Sequence, residues 1–168
     1  IPLFSDNIEA MKLDKAHEDF AWYETTRGCA YNCGYCGHKT RNNLGDVDID
    51  IIQEEIRNIR KREIKRLFIV DPIIGGKKEK GKEILKFCNS EIPDTQLIAY
   101  LRPEMLDDEF IDILRECNLE EMRFGIQTLN PNVPGWVRSN SIKVITRELS
   151  KLKGEHINWR AELIVGLP

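Results

Sequence analysis

Three of the five cysteines fall within eight residues, Cys29, Cys33 and Cys36, in the stretch "ETTRGCAYNCGYCGHKT". The spacing is C-x3-C-x2-C. Thiolates are soft donors, and three of them suit zinc or an iron–sulfur cluster. Structural zinc and common cubane sites use four protein ligands. No fourth is obvious here. His38 lies two residues beyond Cys36, an awkwardly short spacing for chelation. Cys88 and Cys117 fall in segments with helical periodicity and read as small buried hydrophobes. A metal group held by three cysteines keeps one position open, and an open position is how a catalytic metal admits a small molecule.

Such a loop must be positioned by what flanks it. Phe20–Thr26 reads as a strand that runs into the cysteines. Strand-like apolar runs recur at Arg66–Asp71, Gln96–Arg102, Glu120–Thr128 and Ile157–Gly166. Helical patterns alternate with them. Val47–Glu63 carries Ile52, Ile56 and Ile59 on one face, with an acidic first turn and a basic last turn. Lys82–Asn89, Leu106–Asn118 and Ser141–Lys153 follow. Five strands alternating with four helices predict β-α-β units and parallel strands. In strand three Leu97, Ala99 and Leu101 oppose Gln96, Ile98, Tyr100 and Arg102. In strand four Met122, Phe124 and Ile126 oppose Arg123, Gly125 and Gln127. In strand five Trp159, Ala161, Leu163 and Val165 oppose Asn158, Arg160, Glu162 and Ile164. A sheet covered on both faces would read as near-continuously apolar. One apolar and one polar face favour a barrel, or part of one, ringed by helices outside and polar inside. In barrels the chemistry sits at the C-terminal strand ends, which is where the cysteine loop lies.

Composition narrows the classes. The chain's 168 residues suffice for one domain with a sizeable core. Its 41% hydrophobic and 32% charged residues are those of an ordinary globular protein. The net charge of −3 gives no bulk attraction to long nucleic acid or to a membrane. No apolar run approaches the ~20 residues of a bilayer span, and residues 1–20 lack the basic and apolar regions of a signal peptide. An odd number of cysteines, three of them crowded, favours free thiols in a reducing cytoplasm over a disulfide framework. The basic runs "RKREIKR" and "KKEKGK" read as solvated helix ends and loops. The chain starts at Ile1 and stops just past a strand, so it reads as a piece of a longer protein. Residues 1–19 form a linker and 20–168 the core domain.

From Tyr23 to Pro168 the sequence resembles the radical S-adenosylmethionine (SAM) enzymes. C-x3-C-x-aromatic-C after a first barrel strand, with Tyr35 as the aromatic, carries most of the resemblance. "GIQTLNP" (Gly125–Pro131) and "ELIVGLP" (Glu162–Pro168) resemble the family's fourth- and fifth-strand motifs at the expected distances. "ETTRGCAYNCGYC", with "VDP" closing strand two, is similar to the subgroup that has a cobalamin-binding domain before the barrel. That domain's D-x-H-x-x-G motif is absent from this chain. The resemblance implies an α/β fold, a partial (β/α)6 TIM-like barrel of the radical SAM type, truncated after strand five. It implies Cys29, Cys33 and Cys36 as ligands of a [4Fe–4S] cluster whose open iron binds SAM. One electron, from a donor such as flavodoxin or ferredoxin, then cleaves SAM to a 5′-deoxyadenosyl radical. The radical abstracts hydrogen from a small-molecule substrate, a nucleotide or a natural-product precursor. In the cobalamin subgroup the outcomes include methyl transfer through cobalamin and, in oxetanocin biosynthesis, ring contraction of a deoxynucleotide. Antibiotic biosynthesis is therefore the expected setting.

The same resemblance implies SAM contacts. Tyr35 packs beside the adenine. Gln127, where the family often has Glu, approaches the methionine end. Arg160 and Glu162 share a face of strand five and either hold the zwitterion or pair with each other. Gly166 permits close approach of ligand. Asp71, Tyr100 and Arg102 end strands two and three and are candidates for substrate or SAM. Arg102 precedes Pro103, which fixes a strand exit, and its fork suits a carboxylate or phosphate. Asp71 either caps a turn or touches ligand. Gly75–Gly76 reads as a turn. Arg138, His17 and His156 read as surface groups, and His38 as a shield at the cluster edge. Two other classes compete: a three-cysteine iron–sulfur electron-transfer module and a zinc-binding interaction domain. The first would be short and lack barrel strands; the second needs a fourth ligand.

Overall fold

A computed structural model describes residues 19–38, 44–135 and 142–167. The expected linker up to residue 18, with His17, lies outside the described residues, as do Arg138 and Pro168. Five parallel strands stand side by side in the order in which they occur: β1 (Phe20–Tyr23), β4 (Arg66–Ile69), β5 (Gln96–Leu101), β6 (Leu119–Gln127) and β7 (Trp159–Leu163). A separate antiparallel pair joins β2 (Thr26–Arg27) to β3 (Gly45–Asp46). The helices are α1 (Ile49–Lys61), α2 (Lys78–Glu91), α3 (Asp108–Glu116) and α4 (Ile142–Ser150). Right-handed crossovers that always step in one direction leave every helix on the same face. A doubly wound sheet would reverse direction. The architecture is thus an α/β barrel segment.

The two faces differ as the alternation predicts. Leu67, Ile69, Leu97, Ala99, Leu101, Met122, Phe124 and Ile126 are buried, together with Ile52, Ile56 and Ile59 of α1 and Phe110, Ile113 and Leu114 of α3. The opposite face carries Phe68, Tyr100, Glu121, Arg123 and Arg160. Arg123 donates to Glu121 Oε2 at 2.6 Å and to the Tyr100 hydroxyl at 3.1 Å, and its guanidinium lies 5.1 Å from the Phe68 ring. The starts of α1 and α3 are capped by side chains. Asp48 accepts from Asp50 N at 3.0 Å, and Asp107 accepts from Phe110 N at 2.8 Å.

Three departures from the sequence reading bear on the site and its supports. Strand one stops at Tyr23 instead of Thr26, because Thr25 and Thr26 turn to bond Asp71. β7 stops at Leu163 and not at Gly166. α2 begins at Lys78, four residues earlier than expected, and takes in Gly81 and Lys82. Lys82 is therefore not solvated. It is buried, with Nζ 2.9 Å from Asp107 Oδ2 and 2.6 Å from Glu109 Oε2. Its charge is matched by acids at the start of α3, so the pair ties α2 to α3.

That tie has a pH signature. Burial alone would raise the Asp107 carboxyl, but Lys78 and Lys82 outweigh it and hold the group well below the usual aspartate range. A depressed folded value stabilises the protein above the unfolded aspartate value of about 4, and this is lost as pH falls toward the folded value. Asp107→Asn keeps a competent helix cap but loses the charge. It is expected to lower stability by about 1 kcal/mol at neutral pH, allowing for the partial exposure of the pair. Urea melts of both proteins should converge as the pH is lowered below about 3. A gap that stays constant with pH would show that the charge contributes nothing.

Candidate functional site

The C-terminal ends of the strands open into a cleft of about 320 Å³. Cys29, Cys33, Tyr35, Cys36, Asp71, Tyr100, Arg102, Gln127 and Glu162 all line it, and so does His38. Arg160 and Gly166 are not brought there. The Arg160 guanidinium meets Glu121 Oε1 at 2.8 Å, so Glu121 takes the place of Glu162 as its ion-pair partner. Arg160 lies two residues before Glu162, on the same face but away from the cleft. Gly166 has a φ of +88° and open space where a Cβ would stand.

The cysteine loop is fastened at both ends. At its start, Asp71 is fully buried and accepts four hydrogen bonds. Oδ1 takes Thr25 N at 2.6 Å and Thr26 N at 3.0 Å, while Oδ2 takes the Thr25 hydroxyl and Gly75 N at 2.9 Å. Burial raises the Asp71 carboxyl, and these donors pull against that shift. Of its two expected roles, Asp71 thus fills the structural one in full. At the far end, β3 pairs with β2, and Lys80 bonds Asp46 and, at 2.6 Å, the Val47 carbonyl. Gly75 sits at φ +64°, and a Cβ there would stand 2.8 Å from Gly81 N of α2. The Gly75–Gly76 turn is therefore wedged between strand end and helix.

Within the loop, Cys36 N donates to the Cys33 carbonyl at 3.1 Å, and His38 N lies 3.4 Å from Cys36 Sγ. All five cysteines are free thiols. Burial raises the Cys29 thiol, with Cys36 and Cys33 adding to it and the Arg102 charge opposing it. Among the described residues no three His, Cys, Asp or Glu groups stand together as the ligand set of a single metal ion. Three free thiols lining one cleft, with N–H groups directed at the Cys36 and Cys33 sulfurs, are the donor chemistry of an iron–sulfur cluster.

The opposite wall is the end of β6. Gln127 has a φ of +63°, in the left-handed region that a non-glycine residue seldom occupies. Its amide folds back over Gly125, where a Cβ would stand 2.5 Å from Gln127 Nε2. The β6–β7 register shifts at this point, and Ile164 N donates to the Gln127 carbonyl at 2.7 Å. Two residues escaped the sequence reading. The Tyr31 ring lies 3.7 Å from the Arg102 guanidinium, and Glu104 pairs with Arg102. Their only sequence signals were an aromatic beside the cysteines and an acid two residues past an arginine.

A one-directional parallel barrel segment with free thiols in a cleft at its strand ends defines an enzyme core built to hold a soft-metal group. The chain belongs to the Radical SAM superfamily, whose family model matches residues 23–168. That family uses a [4Fe–4S] cluster and SAM. The chain is 34% identical over 173 residues to the cobalamin-dependent radical SAM methyltransferase TokK of Streptomyces tokunonensis, covering 97% of this chain and 25% of TokK. It is 25% identical over 182 residues to the ribosomal protein uS12 methylthiotransferase RimO of Lachnoclostridium phytofermentans, covering 97% of this chain and 41% of RimO. The chain thus spans less than half the length of these relatives. Its fold is similar to that of the radical SAM methyltransferase TsrM from Kitasatospora setae, solved with tryptophan substrate and a SAM analogue. The TM-score is 0.76 at 18% identity, over 90% of this chain and 32% of TsrM. TsrM has also been solved with cobalamin and a [4Fe–4S] cluster bound. Among the described residues no helix is long and apolar enough to cross a membrane.

Proposed function

We propose that this chain is the SAM-binding core of a cobalamin-dependent radical methyltransferase that acts on a small molecule in the cytoplasm. The observation that carries the reading is the cleft itself, which gathers Cys29, Cys33 and Cys36 against the ends of β4 to β7. The relation to TokK supports methyl transfer over ring contraction of a deoxynucleotide. In this reading the three thiolates hold a [4Fe–4S] cluster and leave one iron for SAM. When bound, the cluster supplies the electron that cleaves SAM to a 5′-deoxyadenosyl radical.

The chain's own residues bind and orient. Tyr35 offers its ring to the adenine. Glu162 accepts from the ammonium group of SAM, and the Gln127 amide donates to its carboxylate. An amide at Gln127 pairs with a carboxylate without the repulsion an acid would bring. Tyr100, its hydroxyl held by Arg123, forms the floor beneath the bound molecules. Arg160 and Gly166 do not line this cleft. Cobalamin is held mainly by another part of the protein, and the electron comes from a flavodoxin- or ferredoxin-type donor. The substrate is a natural-product or nucleotide precursor.

The test is low-temperature electron paramagnetic resonance (EPR) of the full-length protein, reconstituted anaerobically with iron and sulfide and then reduced. A [4Fe–4S]+ signal that changes when SAM is added is the expected result. Zinc uptake without a cluster, or a cluster signal indifferent to SAM, would overturn the reading. Transfer of a labelled methyl group from SAM, dependent on bound cobalamin, tests the finer assignment.

A further inference from the structure

Arg102 leaves β5 only 6% exposed. A guanidinium so deeply placed is costly unless it is engaged. Its guanidinium carbon lies over the ring of Tyr31, a residue between Cys29 and Cys33 in the sequence, 3.7 Å from the ring centroid. Nη1 points at Cys33 Sγ from 3.8 Å, and Nε donates to Glu104. The second oxygen of Glu104, Oε2, is buried and meets no hydrogen-bond partner among the described residues. An orphaned carboxylate oxygen lowers stability. The strand exit does not require it, because Pro103 and the 3₁₀ turn Pro103–Met105 already fix the chain there. The pair therefore calls for a role beyond fixing the chain. Its place against a cysteine sulfur accounts for it.

We propose that Arg102 is an electrostatic positioning residue for the iron–sulfur group held through Cys33, and that it favours the reduced state of that group. The inference rests on the [4Fe–4S] reading above. Hydrogen bonds to cluster sulfurs and nearby charge set reduction potentials. A cation in a poorly solvated cleft stabilises the added electron more than it would in water. Glu104 and Tyr31 fix the orientation of the fork. Glu104 also offsets part of its charge.

The experiment is a mediated redox titration of the reconstituted full-length protein, without SAM or substrate, read from the EPR amplitude of the reduced cluster. At a fixed potential, Arg102→Gln is expected to lower the reduced-to-oxidised ratio about tenfold, a downward midpoint shift of about 59 mV for one electron. Arg102→Lys keeps the charge but loses the planar fork, and should fall between wild type and Arg102→Gln. Glu104→Gln removes a negative charge and should move the midpoint upward. A purely structural brace would lower the melting temperature of these variants and leave their midpoints in place; that result overturns the proposal. If Arg102→Gln does not fold, the Glu104→Gln shift decides: upward supports the proposal, and an unmoved or lowered midpoint overturns it. A wild-type protein that assembles no cluster overturns the site reading and this inference together. A wild-type cluster with unmoved variants overturns this inference alone.

Discussion

Asp71→Ala is expected to cost about 4 kcal/mol of folding stability, with Asp71→Asn costing roughly half of that. The alanine variant leaves three backbone N–H groups, of Thr25, Thr26 and Gly75, facing a void where the carboxylate stood. Each buried unsatisfied donor costs about 1–3 kcal/mol. The Thr25 hydroxyl can turn elsewhere, so it adds little. Asparagine keeps one oxygen for Thr25 N and Thr26 N, and the same hydroxyl can rotate to accept from the new amide. Only the Gly75 N–H then loses its acceptor. A domain of this size has about 5–15 kcal/mol in total, so the alanine variant loses a large share of it. Denaturant melts should rank wild type, Asn and Ala in that order. Equal losses for Asn and Ala would mean that the carboxylate charge, and not the count of accepted bonds, holds the site. The same variant should take up less iron, because Asp71 fixes the strand end from which the cysteine loop departs.

Cys33→Ala is the second large effect, and it separates chemistry from folding. Cys33 lies nearly buried on the cleft wall, beneath Arg102. Loss of one of three ligands should abolish the SAM-sensitive EPR signal and lower reductive SAM cleavage roughly hundredfold or more, since even outer-shell changes cost 10–100-fold. Removing one thiol at the cleft edge opens little space in the core, so the melting temperature should barely move. Cys88→Ala provides the contrast. Cys88 is fully buried on the inner face of α2 and does not line the cleft. It should lose about 1 kcal/mol of stability and keep the full cluster signal. If Cys88→Ala lost the cluster and Cys33→Ala kept it, the ligand assignment would be wrong.

Much of the fold was legible because strands and helices differ in period. Leu97, Ala99 and Leu101 against Tyr100 and Arg102 marks a sheet with one apolar face, the alternation of strands with helices marks the strands as parallel, and the structure has that sheet. What stayed hidden depended on contacts between segments distant in sequence. A two-residue strand such as β2 has no periodicity to read; its partner at Gly45–Asp46 decides it. The helical pattern begins at Lys82, yet α2 begins at Lys78 and runs through Gly81, where a Cβ would stand 3.0 Å from the Ile74 carbonyl oxygen. Lys82 reads as a solvated charge until α3 brings Asp107 and Glu109 to it. The alternation placed Arg160 on the same face as Glu162, correctly, but it does not say which strand supplies the partner. Glu121 on β6 does.

The fastening of the cysteine loop bears on how the protein survives oxygen. Thr25 and Thr26 are bound to a carboxylate some 45 residues away, and the other end of the loop is held by Lys80 and the β2–β3 pair. None of these bonds passes through the thiols. Small zinc domains unfold when their metal leaves; here the anchors of the loop do not depend on a metal. A molecule stripped of its irons is therefore expected to keep the anchored ends of the loop and to need refilling, not refolding. Damage at the cluster is then a matter for repair, and the polypeptide can be salvaged where a metal-dependent fold would be degraded.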